Sequence, residues 1–219
     1  MAEAAAPTAG LPLAEPGLWV ELRATRPERF AGRPALFLDR DGTLNIDTGY
    51  PKHPDEIVLV EEIVPVVRAA TEADVPIVVI TNQSGIARGL LDWKDFASTN
   101  GRLAELLAER GCRIDLVIAC AYLDGAPPPY GAANHAMRKP NPGMVLAAAR
   151  ILKLDLTHSI IVGDRARDLE AGRRAGLHRG WMVGAADSPP PSPGFSVRRL
   201  ADDADLAELV RDVLMLGRR

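Results

Sequence analysis

From residue 35 onward, short apolar runs alternate with longer segments whose apolar residues recur every three or four positions. The short runs are typical of buried strands and the longer segments of amphipathic helices. This alternation indicates βαβ units, so we expect one α/β domain of the Rossmann-like, three-layer kind with a mainly parallel sheet. The predicted strands are residues 35–39, 76–81, 114–120, 159–164 and 179–183, and the predicted helices are residues 62–74, 93–110, 142–152, 166–175 and 203–216.

The ends of the predicted helices carry recognisable residues. Asp92 precedes Trp93 as an N-cap, Asn141 and Pro142 read as an N-cap and a first helical residue, and Gly176 ends its helix. These positions limit the space between elements, which leaves room for loops around the strand ends but not for a second domain.

Residues 1–30 are interpreted as an N-terminal leader, partly flexible, and residues 31–219 as the folded domain. Residues 1–17 are rich in Ala and Pro, without the basic start of a signal peptide or the unbroken apolar run of a membrane span. The proline-rich segment 188–194 is interpreted as a spacer before the last helix.

Composition narrows the class of protein. A chain of 219 residues with 47% hydrophobic and 5% aromatic content can bury one substantial core. The net charge of −3 gives no attraction for nucleic acid, and Cys112 and Cys120 form no disulfide framework. We therefore expect a cytoplasmic protein, a monomer or weak homo-oligomer, with no nucleic-acid or membrane partner.

Two carboxylates follow the first predicted strand, in the segment Asp39-Arg40-Asp41-Gly42-Thr43. Open α/β sheets bind ligands at the carboxyl ends of their strands. One carboxylate can attack a substrate while the other transfers a proton, and both offer the oxygens that Mg²⁺ prefers. Because Asp and Gly are also common in turns, the remaining segments must decide between a loop and an active site.

The second predicted strand ends in Thr81, and the polar run Asn82-Gln83-Ser84-Gly85 follows it. Side-chain and backbone donors there can bind phosphoryl oxygens, and glycine lets the backbone approach them closely. A plain polar turn is the alternative for this stretch alone.

Arg138 and Lys139 precede a predicted helix and are followed by Pro140 and Pro142. A fixed lysine can place a positive charge where negative charge develops during phosphoryl transfer, and an arginine can fork onto a second phosphate. The alternative is a solvated pair of cations, but the rigid prolines favour a positioning role.

Asp164 is a third carboxylate at a strand end, and a parallel sheet would bring it beside Asp39 and Asp41. Clustered carboxylates repel one another unless a cation neutralises them, so we infer a divalent metal. Asp168, four residues later, is expected to cap the helix that opens there, or alternatively to support Lys139 or metal-bound water.

Together these segments resemble the four motifs of the haloacid dehalogenase (HAD) superfamily of phosphohydrolases. The resemblance covers about residues 35–183 and is most detailed for its branch of D-glycero-D-manno-heptose 1,7-bisphosphate phosphatases and related histidinol-phosphate phosphatases. It implies a HAD-like phosphatase domain over residues 31–219, with the sheet order 5-4-1-2-3 and a minimal cap.

The resemblance also implies roles for the motif residues. Asp39 would be the nucleophile that forms an aspartyl-phosphate, and Asp41 the acid and then the base. Thr81 and Lys139 would hold the transferring phosphoryl group. Mg²⁺ would be bound by Asp39, Asp164 and the backbone carbonyl of Asp41. The implied substrate contacts are Asn82, Gln83, Ser84, Arg88 and Arg138.

The chain departs from this branch in the loop where many members bind a structural zinc through Cys-x-His and Cys-x-Cys pairs. It has Cys120 and Tyr122 at the first pair, and His135 and Met137 at the second. A phenol and a thioether are poor zinc ligands, so we predict no structural zinc. Loop 121–137 is then either ordered by packing or mobile.

The leading hypothesis is a Mg²⁺-dependent hydrolase of a small phosphorylated metabolite, namely a heptose bisphosphate that loses its 7-phosphate. Histidinol phosphate or another small phosphomonoester is the alternative substrate. Two further hypotheses are a non-catalytic binding module of the same fold and a nucleic-acid 3′-phosphatase. The 3′-phosphatase hypothesis ranks last, because the chain lacks the basic surface that duplex binding requires.

Overall fold

The computed structural model describes residues 10–184 and 192–218. The strands are β1 Leu13–Glu15, β2 Leu18–Leu22, β3 Leu36–Leu38, β4 Ile77–Asn82, β5 Leu116–Cys120, β6 Ile160–Gly163, β7 Arg179–Val183 and β8 Ser196–Leu200. The helices are α1 Val64–Glu72, α2 Ser84–Ala87, α3 Trp93–Glu109, α4 Gly143–Leu152, α5 Ala166–Ala175 and α6 Asp203–Leu216. All eight strands join one sheet in the order β1-β2-β5-β4-β3-β6-β7-β8.

The centre of the sheet confirms the predicted topology. The five predicted strands are β3 to β7, and their order β5-β4-β3-β6-β7 is the expected 5-4-1-2-3 read from the opposite edge. All four pairings among them are parallel, with Leu36 of β3 aligned between Ile77 and Ile160. The residues that follow β3, β4 and β6 therefore meet at one edge of the sheet.

The core has two apolar clusters, one on each face of the sheet. Leu36 and Leu38 belong to one cluster, and Phe37 belongs to the other. The first cluster contains the buried faces of α1, α3 and α6, and the second contains those of α4 and α5. The alternation along a strand thus explains the three-layer architecture that the sequence predicts.

The N-terminal segment differs from the expected loose leader. Within residues 10–30, β2 pairs antiparallel with β5 over its whole length, and β1 pairs with β2. Trp19 is 3% exposed and stacks against Trp93, with ring centroids 5.8 Å apart. These pairings cover the edge of β5, which would otherwise present unpaired backbone groups.

Strand β8 is absent from the predicted strands. It pairs parallel with β7 at the other edge of the sheet, and Arg198 and Arg199 interrupt its apolar residues. An edge strand buries little side-chain surface, so it lacks the continuous apolar run of the central strands. The predicted spacer 188–194 lies outside the described residues over 188–191.

Two of the three helix-end predictions agree with the structure. Asp92 accepts hydrogen bonds from the backbone nitrogens of Lys94 and Asp95, and Gly176 ends α5 with φ of 96°. The Asn141 cap was wrong, because α4 begins at Gly143 and its N-cap position is Pro142. The Asn141 amide instead donates to the backbone oxygens of Asn134 and His135 in the preceding loop.

No helix within the described residues combines the length and apolar character required to cross a bilayer.

Candidate active site

A cavity of about 380 Å³ opens at the carboxyl ends of β3, β4 and β6. The predicted site residues that line it are Asp39, Asp41, Thr81, Asn82, Gln83, Ser84, Arg88, Arg138 and Asp164. Lys139, the remaining predicted residue, is 2% exposed and contacts Asp39. The wall also contains residues that the sequence did not single out: Asp47, Gly49, Tyr50, Pro51 and Arg167.

Asp39 lies just after β3 and is almost fully buried. Its Oδ1 lies 2.7 Å from the Lys139 Nζ and accepts a hydrogen bond from the Arg40 backbone nitrogen. Burial, and then the negative charge of Asp168, raise the pKa of Asp39 to about 8, although Lys139 acts in the opposite direction. A second positive charge in the cavity would therefore favour the carboxylate form.

Lys139 is surrounded by acceptors. Its Nζ lies 2.7 Å from Asp39 and 2.8 Å from Asp168, and it donates to the Ile80 backbone oxygen at 2.9 Å. Burial alone would lower the pKa of Lys139, but Asp168 and Asp39 outweigh it and raise the pKa above its ordinary value. Lys139 is thus a fixed, buried ammonium group beside Asp39.

Asp168 serves both the cap and the lysine. One carboxylate oxygen accepts from the Arg165 backbone nitrogen at 2.9 Å, which caps α5. The other lies against Lys139. The cap expected from the sequence and its alternative of supporting Lys139 therefore occur together, one on each oxygen.

Asn82 fixes the backbone that carries Lys139. Its amide donates to the Lys139 backbone oxygen at 3.0 Å, and its Oδ1 accepts from the Lys139 backbone nitrogen at 3.1 Å. Arg138, the residue before Lys139, donates to the Tyr122 backbone oxygen at 3.0 Å. The end of β4 and loop 121–137 thus both hold the Arg138 and Lys139 segment.

Three side chains orient the Asp41 carboxylate. Arg40 and Asn45 donate to its Oδ1 at 2.7 and 3.1 Å, and Gln83 donates to its Oδ2 at 2.7 Å. The Gln83 amide also donates to the Thr81 hydroxyl at 3.0 Å. Gln83, predicted as a substrate contact, thus links the Asp41 and Thr81 side chains through its amide nitrogen.

Arg40 is a site residue that sequence reasoning missed. It is 1% exposed, and its guanidinium lies 5.3 Å from the centre of the Phe96 ring. The signal was present, because a charged residue between two strand-end aspartates has to be exposed or paired with an acid. In the structure its Nη1 lies 2.7 Å from Asp41 Oδ1.

The carboxylates of Asp39, Asp164 and Asp168 place one oxygen each within 4.8 Å of one another. Asp164 Oδ1 is buried and has no hydrogen-bond partner among the described residues. Gly42, with φ of 83°, allows the backbone to approach, since an added Cβ would lie 2.5 Å from Asp164 Oδ2. An unpartnered oxygen among clustered carboxylates fits a hard divalent cation such as Mg²⁺.

Loop 121–137 is held by packing at Tyr122 and His135. The Tyr122 and His135 rings stack with centroids 3.9 Å apart, and the Tyr122 hydroxyl donates to Glu15 at 2.9 Å. Gly17 lies so close that an added Cβ would be 2.8 Å from the Tyr122 ring. Burial raises the pKa of the Cys120 thiol to about 11, so this side chain is a neutral thiol rather than a thiolate ligand.

The arrangement fits a phosphohydrolase, and comparisons with known proteins agree with it. The family model for HAD-hydrolase-like proteins matches residues 136–184. A D-glycero-beta-D-manno-heptose-1,7-bisphosphate 7-phosphatase from Mesorhizobium japonicum is 48% identical over 213 residues, which is 94% of each chain.

Solved structures show the same likeness. A HAD-like phosphatase from Mesorhizobium loti has a TM-score of 0.89 and 49% identity, covering 95% of this chain and 99% of its own. The D,D-heptose 1,7-bisphosphate phosphatase of B. bronchiseptica, complexed with magnesium and phosphate, has a TM-score of 0.68 and 31% identity over 83% of this chain and 98% of its own.

Fold and site together define a HAD-like phosphatase. Within that superfamily, the chain belongs to the family of the D-glycero-D-manno-heptose-1,7-bisphosphate 7-phosphatases.

Proposed function

We propose that this protein is a Mg²⁺-dependent phosphatase that removes the 7-phosphate of D-glycero-D-manno-heptose 1,7-bisphosphate. The observation that carries the proposal is the pairing of Asp39 with the Lys139 ammonium at 2.7 Å, beside an Asp41 oriented by three donors. The similarity to the 7-phosphatase from Mesorhizobium japonicum supports the choice of substrate.

In the proposed reaction, an Asp39 carboxylate oxygen attacks the phosphorus of the 7-phosphate, and the bond from phosphorus to the sugar oxygen breaks. Asp41 gives its proton to that leaving oxygen. It then takes a proton from a water molecule, which attacks the aspartyl-phosphate and releases inorganic phosphate and free Asp39. The three donors around Asp41 hold its carboxylate beside the reacting group throughout both steps.

Lys139 and Thr81 would bind the oxygens of the transferring phosphoryl group. Thr81 lines the cavity, Lys139 lies against Asp39, and both are nearly buried, so their hydrogen bonds act where little water competes. Asn82, Ser84, Arg88 and Arg138 remain proposed substrate contacts on the wall.

Mg²⁺ would be held by Asp39, Asp164 and the backbone carbonyl of Asp41, where it would neutralise the carboxylates and the phosphate charge. The Asp41 carboxylate itself is occupied by Arg40, Asn45 and Gln83. The buried, unpartnered oxygen of Asp164 in the described part of the chain supports this placement.

The test is a phosphate-release assay on the purified protein with both anomers of heptose 1,7-bisphosphate and with histidinol phosphate, with and without Mg²⁺. We expect the highest kcat/KM with one heptose bisphosphate anomer, and loss of turnover in Asp39→Asn. Intact hydrolysis by Asp39→Asn would exclude the covalent route. A higher kcat/KM with histidinol phosphate would replace the proposed substrate.

We further propose a cytoplasmic location and a monomer or weak homo-oligomer. Cys112 and Cys120 are both free and buried, which supports a reducing compartment. Sedimentation at several protein concentrations measures the oligomeric state, and a tight dimer at the lowest concentration would contradict this part of the proposal.

A further inference from the structure

Three arginines from distant segments face the candidate active site. Arg88 follows α2, Arg138 precedes α4, and Arg167 is the second residue of α5. All three line the cavity above Asp39. The pKa of Arg138 is lowered by burial first, and then by the positive charges of Arg167 and Arg88. The Arg138 guanidinium therefore lies close enough to Arg167 and Arg88 for their positive charges to act on it.

The Arg167 side chain has no hydrogen bond or ion pair within residues 10–184 and 192–218. The neighbouring arginines of this segment are paired: Arg165 contacts Asp164 at 3.0 Å, and Arg173 and Arg174 both contact Glu170. Arg88 is likewise unpaired in the described part of the chain. Two of the three positive charges at the cavity mouth thus lack a counter-charge among the described residues.

Local structure gives no reason for an arginine at position 167. The first turn of a helix favours acidic side chains, because the backbone dipole is positive there, and a cation at this place is mildly destabilising. Asp168 already provides the cap of α5. An external anion in the cavity would account for both the position of Arg167 and its lack of a partner among the described residues.

We propose that Arg167 is a specificity-determining residue that binds, together with Arg88 and Arg138, the substrate phosphate that is not transferred. This inference rests on the proposed function only in placing the transferred phosphate at Asp39 and Lys139. The second phosphate of a sugar bisphosphate then meets three guanidinium groups at the mouth. Guanidinium groups suit this role because they form paired hydrogen bonds with phosphate oxygens and stay charged.

Arg167 also lies near Asp164, a proposed Mg²⁺ ligand. Burial, and then Asp168, raise the pKa of Asp164, while Arg165, Lys139 and Arg167 act in the opposite direction. If Arg167 worked only through Asp164, its loss would change the Mg²⁺ requirement and the turnover of every substrate. If it binds the second phosphate, its loss changes only the binding of bisphosphates.

The experiment compares Arg167→Gln and Arg167→Lys with the wild type and with Arg211→Gln. Arg211 is exposed on α6, has no partner among the described residues and lies outside the cavity, so its replacement removes the same charge elsewhere. kcat and KM are measured for heptose 1,7-bisphosphate against heptose 7-phosphate, and for fructose 1,6-bisphosphate against fructose 6-phosphate. The Mg²⁺ concentration for half-maximal rate is measured for each protein.

We expect Arg167→Gln to raise KM for the bisphosphate about tenfold, with kcat and the Mg²⁺ requirement within about twofold of wild type. KM for the matched monophosphate stays unchanged, Arg167→Lys recovers part of the loss, and Arg211→Gln behaves as wild type. An Arg167→Gln protein with unchanged KM for bisphosphates would overturn the inference. So would an equal loss with monophosphates or an altered Mg²⁺ requirement.

The two substrate pairs separate this inference from the proposed function. If only the fructose pair shows a preference for the bisphosphate that depends on Arg167, the heptose assignment fails and the role of Arg167 stands. If the wild type hydrolyses each monophosphate as efficiently as the matched bisphosphate, the role of Arg167 fails while the phosphatase activity stands.

Discussion

At the scale of single residues, the site depends on side chains that hold other side chains. Gln83 is 5% exposed and its amide donates to both Asp41 and Thr81. The Asn82 side chain forms hydrogen bonds with both the backbone oxygen and the backbone nitrogen of Lys139. The sequence marked both as polar residues at a strand end, but it did not show that they hold Asp41, Thr81 and Lys139.

We expect Gln83→Met, which keeps the length of the side chain but removes the donor, to lower kcat at least tenfold with a smaller change in KM. The reason is that Asp41 loses one of its three donors and Thr81 loses the amide that donates to its hydroxyl, while general acid and base catalysis depends on such positioning. Steady-state kinetics on the best substrate measures both constants.

Ser84→Ala is the comparison for Gln83→Met, because Ser84 lines the same wall and is proposed to contact substrate directly. Its main effect should fall on KM. A Gln83→Met protein with unchanged kcat and raised KM would show that Gln83 binds substrate rather than orienting Asp41.

At the scale of elements, the N-terminal hairpin β1–β2 takes part in the domain. Strand β2 covers the edge of β5, and Trp19 packs with Trp93 and Phe96. The hairpin also contacts loop 121–137, because Glu15 accepts a hydrogen bond from the Tyr122 hydroxyl. The Tyr122 backbone oxygen in turn accepts a hydrogen bond from Arg138. Packing of the hairpin thus supports the loop that holds a proposed substrate contact.

Trp19→Ala should lower the free energy of unfolding by about 3–5 kcal/mol, because it removes a large buried ring from an aromatic cluster. Urea denaturation measures the change. Leu22→Ala, on the same strand but 46% exposed, should cost less than about 1 kcal/mol. Equal and small effects of the two substitutions would mean that β2 adds little to the stability of the domain.

Packing of this hairpin against Tyr122 also bears on the zinc prediction. Because Tyr122 and His135 stack and Cys120 is held as a neutral thiol, we expect the purified protein to retain no stoichiometric zinc after incubation with Zn²⁺ and dialysis. Elemental analysis by mass spectrometry measures the metal content. One tightly bound zinc per chain, lost on replacing Cys120 by Ser, would contradict the prediction.

At the scale of the whole molecule, folding creates a cluster of charges that no single segment contains. Asp39 and Asp164 follow two different strands, Asp168 lies on α5, and Lys139 comes from the segment before α4. The ammonium neutralises part of the negative charge, and the pKa of Asp39 stays raised at about 8. The cavity therefore favours a further cation.

This raised pKa sets the pH dependence of Mg²⁺ binding. Without metal, Asp39 is mostly protonated below pH 8, and a cation must displace that proton. Affinity for Mg²⁺ should therefore rise with pH up to about pH 8, by up to about tenfold per unit, and level off above it. Calorimetry at about pH 6.5 to 9, in two buffers of different ionisation enthalpy, measures affinity and proton release together.

Asp39→Asn is the control for the pH dependence, because an amide cannot titrate. It should bind Mg²⁺ more weakly and lose the rise in affinity below about pH 8. A wild-type affinity that is constant over this range would show that Asp39 is already ionised in the metal-free protein.

The sequence by itself determined the parallel core and most of the residues that line the cavity. Strands buried on both faces must be apolar throughout, so β3 to β7 are visible as continuous runs, and polar residues directly after them must lie at the ligand-binding edge. The motifs beginning at Asp39, Thr81, Arg138 and Asp164 were therefore readable without coordinates.

Only the tertiary structure decided which distant segments meet. Strand β2 is identified by its pairing with β5, and β8 is an edge strand with a weak apolar pattern. Phe96 of α3 packs against Arg40, and Arg138 and Arg167 line one cavity although they precede and begin different helices. Local patterns report burial and backbone preference, whereas contacts between segments far apart in the chain depend on the packing of the whole domain.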